Sequence, residues 1–310
     1  MLNAVLIVVG LVLVIWGADI MTKGAVGVAN RLGVPQIVIG LTIVAMGTSA
    51  PELFVSLMSA FSGSSDLAVG NILGSNVFNT LAIVGASALA APLLLTRNTI
   101  HKDLPIEVAA SAILLFLSLD GTISRLDAAI LFAAFLCFFA YTLRIAKKGI
   151  GEEDTDGTEE DLPTWKSVLF IVLGLACLVF GSNLFVSGAT GVAQALGVSD
   201  AIIGLTIVAC GTSLPELATS IVAARKGNSG IAIGNVIGSN VFNILMILGV
   251  TGLACPMTAQ GVTMVDFAVV LGSGLLMWLF CATKRTVERW EGFILLATYI
   301  AYVAYLIMSI

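Results

Sequence analysis

Charge is scarce in this sequence, and histidine is almost absent from it. Charged residues make up 11% of the 310 positions, one residue is histidine, and 58% are hydrophobic. The mean hydropathy is +1.07, so the chain carries more apolar side chain than a water-soluble core of this length can bury. With a net charge of −5 there is also no basic footprint for nucleic acid. These shortages exclude a soluble globular protein and predict a membrane protein with many spans.

Apolar runs of about 20 residues match a bilayer core of roughly 30 Å. The first run lacks the basic start and the small-residue cleavage site of a signal peptide, so we expect it to remain as a span. We predict an all-α integral membrane protein with ten transmembrane helices, at residues 3–22, 35–61, 66–90, 104–119, 126–146, 166–187, 199–224, 230–254, 263–282 and 290–309.

The positive charges fall in alternate loops of this ten-span plan. Thirteen of the fourteen Lys and Arg residues lie on one side, and only Arg125 lies on the other. The positive-inside rule therefore places both termini outside and the acidic linker, residues 147–165, in the cytoplasm. We expect a multi-pass protein of the plasma (inner) membrane, with the linker acting as a solvated hinge.

The two halves of the chain repeat each other at a shift of 164 residues. Residues 40–79 and 204–243 align without a gap, and 25 of the 40 aligned positions are identical. We predict two five-helix repeats, residues 1–146 and 166–310, joined by the linker 147–165. Because five is an odd number, the second repeat enters the membrane in the opposite sense. Such inverted repeats are typical of secondary transporters, whose sites lie near the midplane.

The identity between the repeats is strongest at polar and small residues. In the motif GTSxPE, Pro51 and Pro215 lack a backbone N–H and free carbonyl groups about four residues upstream, near Gly47 and Gly211. Free carbonyls at membrane depth are tolerated where they line a cavity or meet a ligand. The motif therefore predicts a polar site inside the membrane, and a cation suits its oxygens.

Hydroxyl groups recur four residues before a carboxylate or an amide, so each pair shares a helix face if the helix continues. Such oxygen ligands suit hard cations, and calcium takes six to eight of them. The only histidine, His101, lies in a predicted loop, and the cysteines show no paired spacing, which argues against zinc or copper. The pairs are Thr48 with Glu52, Thr212 with Glu216, Ser75 with Asn79, and Ser239 with Asn243.

Glu52 and Glu216 need a compensating charge, because a lone ionised group at mid-bilayer costs at least about 2.5–3.5 kcal/mol. No Lys or Arg lies at matching depth in the predicted spans. One divalent ion balances two carboxylates, and sodium ions or protons can replace it, which is the logic of an antiporter. A passive cation channel and an intramembrane hydrolase are the alternatives. We expect no enzyme and no cofactor, because the ions are transported and no histidine or lysine base lies near the serines.

Several other polar and small residues have simpler interpretations. Gly70, Gly74, Gly234 and Gly238 are read as close helix contacts. Asp19 is interpreted as a bracing or interfacial residue. Four asparagines can either brace helices or bind ions, and the sequence leaves this open: Asn71, Asn76, Asn235 and Asn240.

The paired blocks GTSAPEL…GNILGSNVFN and GTSLPEL…GNVIGSNVFN resemble the two alpha repeats of the sodium/calcium exchanger family, in the calcium/cation antiporter superfamily. The short linker and ten-span plan resemble its prokaryotic members. The resemblance implies exchange of about three sodium ions for one calcium ion by alternating access, with the first and sixth spans sliding over a fixed core. It implies a metal site of Thr48, Ser49, Glu52, Ser75, Asn79, Thr212, Ser213, Glu216, Ser239 and Asn243, with backbone oxygens of Ala45 and Ala209 serving sodium.

One position separates this chain from part of that family. Its potassium-dependent branch carries an aspartate where this chain has Asn243, so the resemblance implies potassium-independent exchange with two acidic ligands. Proton/calcium exchangers usually show GN-A-x-E-L in place of GTSxPEL. A proton-coupled antiporter, or one for another divalent ion such as magnesium, is the alternative. The expected partners are calcium ions, sodium ions and the lipid bilayer, and we expect a functional monomer.

Overall fold

The computed structural model describes residues 2–147, 162–196, 209–258 and 262–308. These residues form helices, their connecting loops, and four strands of two residues each. The helices are α1 (Leu2–Leu32), α2 (Gln36–Thr48), α3 (Ala50–Phe61), α4 (Ser65–Ala90), α5 (Leu104–Leu117), α6 (Arg125–Ala146), α7 (Thr164–Ala195), α8 (Ala209–Thr212), α9 (Leu214–Arg225), α10 (Ser229–Ala254), α11 (Met264–Lys284) and α12 (Arg289–Met308). The strands are β1 (Leu93–Leu94), β2 (Thr122–Ile123), β3 (Met257–Thr258) and β4 (Thr286–Val287).

Seven of the described helices are long and apolar enough to cross a membrane, and the bent pair of α2 and α3 makes an eighth candidate. The remaining predicted spans are 104–119 and 199–224, and residues 199–208 of the latter lie outside the described ranges. A π-helical turn, Thr99–Asp103, runs directly into the 14 residues of α5, so His101 lies in a helical turn and not in the predicted loop. Most of the linker, residues 148–161, lies outside them too. The architecture is that of a multi-pass membrane protein, and the full count of ten spans stays a prediction.

Two predicted spans are too short. The structure extends the span 3–22 to Leu2–Leu32 and the span 166–187 to Thr164–Ala195. Hydropathy detects only the apolar stretch that matches a bilayer, whereas a helix continues as long as its backbone hydrogen bonds do. α1 and α7 therefore reach beyond the length that a bilayer core requires.

Glycines let α1 and α7 cross in close contact. A Cβ on Gly10 would lie 2.6 Å from the carbonyl oxygen of Gly181, and one on Gly17 would lie 2.8 Å from that of Gly174. Small residues at such crossings allow helix backbones to approach closely in membranes. Residue numbers rise along α1 as they fall along α7, so the two helices run antiparallel.

The strand pairs join the two halves of the chain. β1 pairs with β4, with Leu93 opposite Val287, and β2 pairs with β3, with Ile123 opposite Met257. The shift of 164 residues that relates the sequence halves carries β1 onto β3 and β2 onto β4. Each pair therefore takes one strand from each half.

α4 and α10 form the centre of the bundle. Their most apolar windows are 78% and 94% buried, whereas those of α1 and α7 are each 28% buried. Each central helix contains a widened π-helical turn, Phe78–Ile83 in α4 and Phe242–Ile247 in α10. Such turns are rare and often occur at functional sites. The fold thus places the second residue of each π turn, Asn79 and Asn243, in the core.

Candidate ion-binding site

Two helix breaks place the predicted carboxylates. α2 and α3 meet at a bend of 46°, with Pro51 and Glu52 in the first turn of α3. α8 and α9 repeat this pattern with Pro215 and Glu216. Proline is tolerated in a first turn because the N–H it lacks would have no partner there, and the helix dipole favours a carboxylate at this end. The motif GTSxPE is therefore a helix restart that carries an acid.

The two carboxylates are joined crosswise by serines of the opposite half. Ser49 Oγ donates a hydrogen bond to Glu216 Oε1 at 2.9 Å, and Ser213 Oγ donates one to Glu52 Oε1 at 3.1 Å. Ser213 Oγ also lies 3.3 Å from Ser75 Oγ. Both glutamates are 1% exposed. The two motifs, 164 residues apart in the sequence, therefore meet in one buried place.

The threonines of the two motifs are also placed crosswise. The hydroxyl group of Thr48 lies beside the Glu216 carboxylate, and that of Thr212 beside the Glu52 carboxylate. The prediction that each threonine shares a helix face with the glutamate of its own motif was made on condition that the helix continues. The helix breaks between the two residues, at Ser49 in the first half, so this condition is not met.

Among the buried side-chain atoms that lack a hydrogen-bond partner in the described residues, five are oxygens of predicted ligands. Four of these five form two pairs related by the 164-residue shift. An unsatisfied buried acceptor is costly, and a set of them on predicted ligands gives oxygens to which a cation can bind. The atoms are Glu52 Oε2, Glu216 Oε2, Asn79 Oδ1, Asn243 Oδ1 and Ser239 Oγ.

The amide groups of Asn79 and Asn243 are oriented by asparagines of the opposite half. Asn79 Nδ2 donates to Asn240 Oδ1 at 3.1 Å, and Asn243 Nδ2 donates to Asn76 Oδ1 at 3.0 Å. Because the nitrogen end of each amide is engaged, only its oxygen end is left for a ligand. Asn76 and Asn240, whose role the sequence left open, thus hold the predicted ligands Asn243 and Asn79 in place through their side chains.

Asn71 and Asn235 brace the restarted helices. Their Nδ2 atoms lie 3.5 Å from the backbone oxygen of Glu52 and 3.3 Å from that of Glu216, respectively. Asn235 Oδ1 also accepts a hydrogen bond from Thr48 Oγ1 at 3.1 Å. The contacts of both asparagines are those of braces between helices, which was one of the two interpretations that the sequence allowed.

The carbonyl oxygens near the prolines are only partly open. That of Gly211 accepts a hydrogen bond from Ser182 of α7. The carbonyl oxygen of Ala45 accepts from Thr48 Oγ1 at 3.3 Å and from a backbone N–H of the next turn. Ala209 stands at the boundary of the described residues. Sodium binding by the carbonyls of Ala45 and Ala209 therefore stays a prediction.

No basic residue neutralises the site within the part of the chain that the structure describes. The ion pairs found there involve Asp19 and Glu288, and neither Glu52 nor Glu216 takes part in one. The described residues also hold no cluster of three or more His, Cys, Asp or Glu side chains. The arrangement is two carboxylates completed by neutral oxygens, which suits a hard cation and disfavours zinc or copper.

Sequence reasoning missed one acid next to this site. Glu107 of α5 is 2% exposed, and its carboxylate accepts a hydrogen bond from Asn240 Nδ2. The available signal was an acidic residue inside the predicted span 104–119. It was overlooked because Glu107 lies outside both repeated motifs.

The family described as "Sodium/calcium exchanger protein" matches residues 2–144 and again residues 166–308. The chain belongs to the sodium/calcium exchanger family. This confirms the membership predicted from the paired motifs, and with it an antiporter rather than an enzyme.

Relatives similar over the full length support this membership. The CaxA protein of Alkalimonas amylolytica is 40% identical over 314 residues, which cover 98% of each chain. The sodium/calcium exchanger MaX1 of Methanosarcina acetivorans is 31% identical, also over 98% of each chain. A solved structure of the sodium-calcium exchanger NCX_Mj shares 32% identity and a TM-score of 0.86, covering 98% of each chain.

Proposed function

We propose that this exchanger moves calcium against sodium by alternating access. The observation that carries the proposal is the set of five partnerless oxygens on the predicted ligands, together with the crosswise contacts that bring Glu52 and Glu216 into one buried place. Four of these oxygens can only accept, and the fifth, the Ser239 hydroxyl, can accept as well, so the set favours a cation over an anion. Two carboxylates fit the charge of one divalent ion, and the mixed carboxylate, amide and hydroxyl oxygens fit the six to eight ligands of calcium.

Sodium coupling is supported by the relatives and by the chemistry of the site. MaX1 is named a sodium/calcium exchanger, and the NCX_Mj structure was obtained after soaking with sodium and calcium. When calcium leaves, two buried carboxylates without a basic partner need other cations before the empty site can move. A stoichiometry of about three sodium ions per calcium ion belongs to this proposal, as do the twelve ligand residues, and it makes the exchange electrogenic.

We also propose ten spans arranged as two inverted repeats, residues 1–146 and 166–310. The antiparallel crossing of α1 and α7 supports this arrangement, as do the strand pairs and the two separate family matches. In this arrangement both termini lie outside, the acidic linker is cytoplasmic, and a monomer contains the whole site. α1 and α7 then form the gating bundle that slides over the core.

Uptake of radiolabelled calcium into proteoliposomes tests the sodium coupling. We expect strong uptake when the vesicles contain sodium and the bath does not, and only background uptake when choline replaces the internal sodium. Equal uptake in both cases would exclude sodium as the driving ion. Uptake driven by a proton gradient alone would favour the proton-coupled alternative, and competition by magnesium would favour a broader divalent specificity.

Potassium independence is a separate expectation, and it rests on Asn243. An amide is neutral and its nitrogen is already engaged by Asn76, so the second half offers one acid rather than two. We expect sodium-driven calcium uptake to be unchanged when potassium is added to the bath, on the same side as calcium, or removed from it. A requirement for potassium in the wild-type protein would contradict this expectation.

A further inference from the structure

Glu107 of α5 is a third buried acid, and the proposed ligand set gives it no role. It is 2% exposed, and no ion pair among the described residues includes it. The residue 164 positions later is Leu271, so this acid has no counterpart in the second half. A buried carboxylate at membrane depth is costly, which points to a function rather than a packing accident.

The contacts of Glu107 lead to Asn79 through one intermediate side chain. Glu107 Oε1 accepts a hydrogen bond from Asn240 Nδ2 at 2.5 Å. The other end of that amide, Asn240 Oδ1, accepts from Asn79 Nδ2 at 3.1 Å. This series of hydrogen bonds ends at Asn79 Oδ1, which is one of the five partnerless oxygens.

An amide has a donor end and an acceptor end, so fixing one end fixes the other. A carboxylate oxygen facing Asn240 can accept a hydrogen bond from the amide nitrogen, but it cannot pair with the amide oxygen, because neither oxygen carries a proton. The remaining neighbour of that nitrogen is Thr80 Oγ1, 2.8 Å away, and a hydroxyl can either donate or accept. Without Glu107, both amides could therefore turn over, and Asn79 would then present its NH₂ group to a cation.

The second half achieves the same orientation without an acid. Asn76 Nδ2 donates to the backbone carbonyl oxygen of Asn240 at 3.2 Å, and Asn76 Oδ1 accepts from Asn243. A backbone carbonyl can only accept, so it sets the direction of this amide pair by itself. The apolar Leu271 at the position equivalent to Glu107 agrees with this difference.

We propose that Glu107 is a positioning residue of the ion site, which turns the Asn240 and Asn79 amides so that Asn79 presents its oxygen to the cation. This role rests on the proposed function, because it assumes that the transported cation binds at Asn79.

The test compares Glu107→Gln with Glu107→Leu in the full-length protein, with Ser111→Ala on the same helix as a control. Glutamine keeps an acceptor oxygen for Asn240, whereas leucine removes it. For calcium uptake into sodium-loaded proteoliposomes, we expect the half-saturating calcium concentration of Glu107→Gln to stay within about threefold of wild type and that of Glu107→Leu to rise about tenfold or more. The control should match wild type.

A second measurement does not depend on transport. Calcium chloride should raise the melting temperature of the detergent-purified wild type and of Glu107→Gln, and raise that of Glu107→Leu much less at the same concentration. In an Asn79→Ala background, Glu107→Leu should cause no further loss, because the two residues act through one amide chain. If the leucine variant does not fold, Glu107→Met replaces it.

Two results would overturn the positioning role. A Glu107→Gln variant as impaired as Glu107→Leu would show that the acid supplies charge rather than orientation. An unchanged calcium response in Glu107→Leu would show that the amides keep their direction without it. These results can be distinguished from a failure of the proposed function itself. In that case calcium would neither stabilise the wild-type protein nor exchange for sodium.

Discussion

Replacing Glu52 with glutamine should reduce sodium-driven calcium uptake to background, and Glu216→Gln should do the same. Glutamine has nearly the shape of glutamate, but it removes one of two negative charges and introduces an NH₂ group among oxygens that face a cation. Removing one partner of a buried charge pair costs about 3–5 kcal/mol, which corresponds to a loss of about two to four orders of magnitude in calcium affinity. The effect should be equal for the two residues because their crosswise contacts are equivalent.

Folding and ion binding can be separated in these variants. The matched control is Glu288→Gln, an acid outside the site whose carboxylate pairs with Lys284. We expect all three variants to elute as monodisperse protein in detergent, and only the control to exchange calcium like wild type. Wild-type exchange by Glu52→Gln would remove that carboxylate from the mechanism, and so would a calcium affinity that stays unchanged.

The sequence predicted the composition of the site better than its internal contacts. The motifs could be found because the same polar residues occur twice, and a polar motif that is repeated in an apolar chain indicates a common function. Which serine meets which glutamate could not be read from spacing, because Ser49 contacts an acid 167 positions away. That pairing depends on how the two halves pack, and the bend of 46° before α3 further separates the faces of Thr48 and Glu52.

The sequence also could not predict the orientation of the amide groups. The sequence does not distinguish the four asparagines of the two GSNVFN motifs. In the structure, Asn79 and Asn243 present partnerless oxygens, whereas Asn240 and Asn76 hold those amides in place. The difference follows from contacts across the central helices, including one from Glu107, which lies 133 positions before Asn240. The repeat identifies residues that occur in both halves, so it could not identify Glu107, which occurs in the first half only.

Gly234 should be a sensitive glycine of the core. A Cβ at this position would lie 2.6 Å from the backbone carbonyl oxygen of Ile37 and 3.0 Å from the Cα of Gly40. These are backbone atoms of α2 and cannot rotate away as a side chain would, so α2 must separate from α10. The shift would also pull Thr48 from Asn235, the hydrogen bond that joins the end of α2 to α10 beside Glu216.

We therefore expect Gly234→Ala to lower calcium uptake and the melting temperature, and Gly234→Leu to prevent recovery of folded protein, because overpacking against a fixed backbone costs about 3 kcal/mol or more. Gly272 is the matched control, since it lies mid-helix in α11 and an added Cβ there meets no described atom within 4 Å. Gly272→Ala and Gly272→Leu should fold and exchange calcium like wild type. Expression, thermal stability in detergent and calcium uptake measure the series. A stable and active Gly234→Leu protein would mean that α2 and α10 do not cross at backbone contact, and the placement of Thr48 and Glu52 against the second half would have to be abandoned with it.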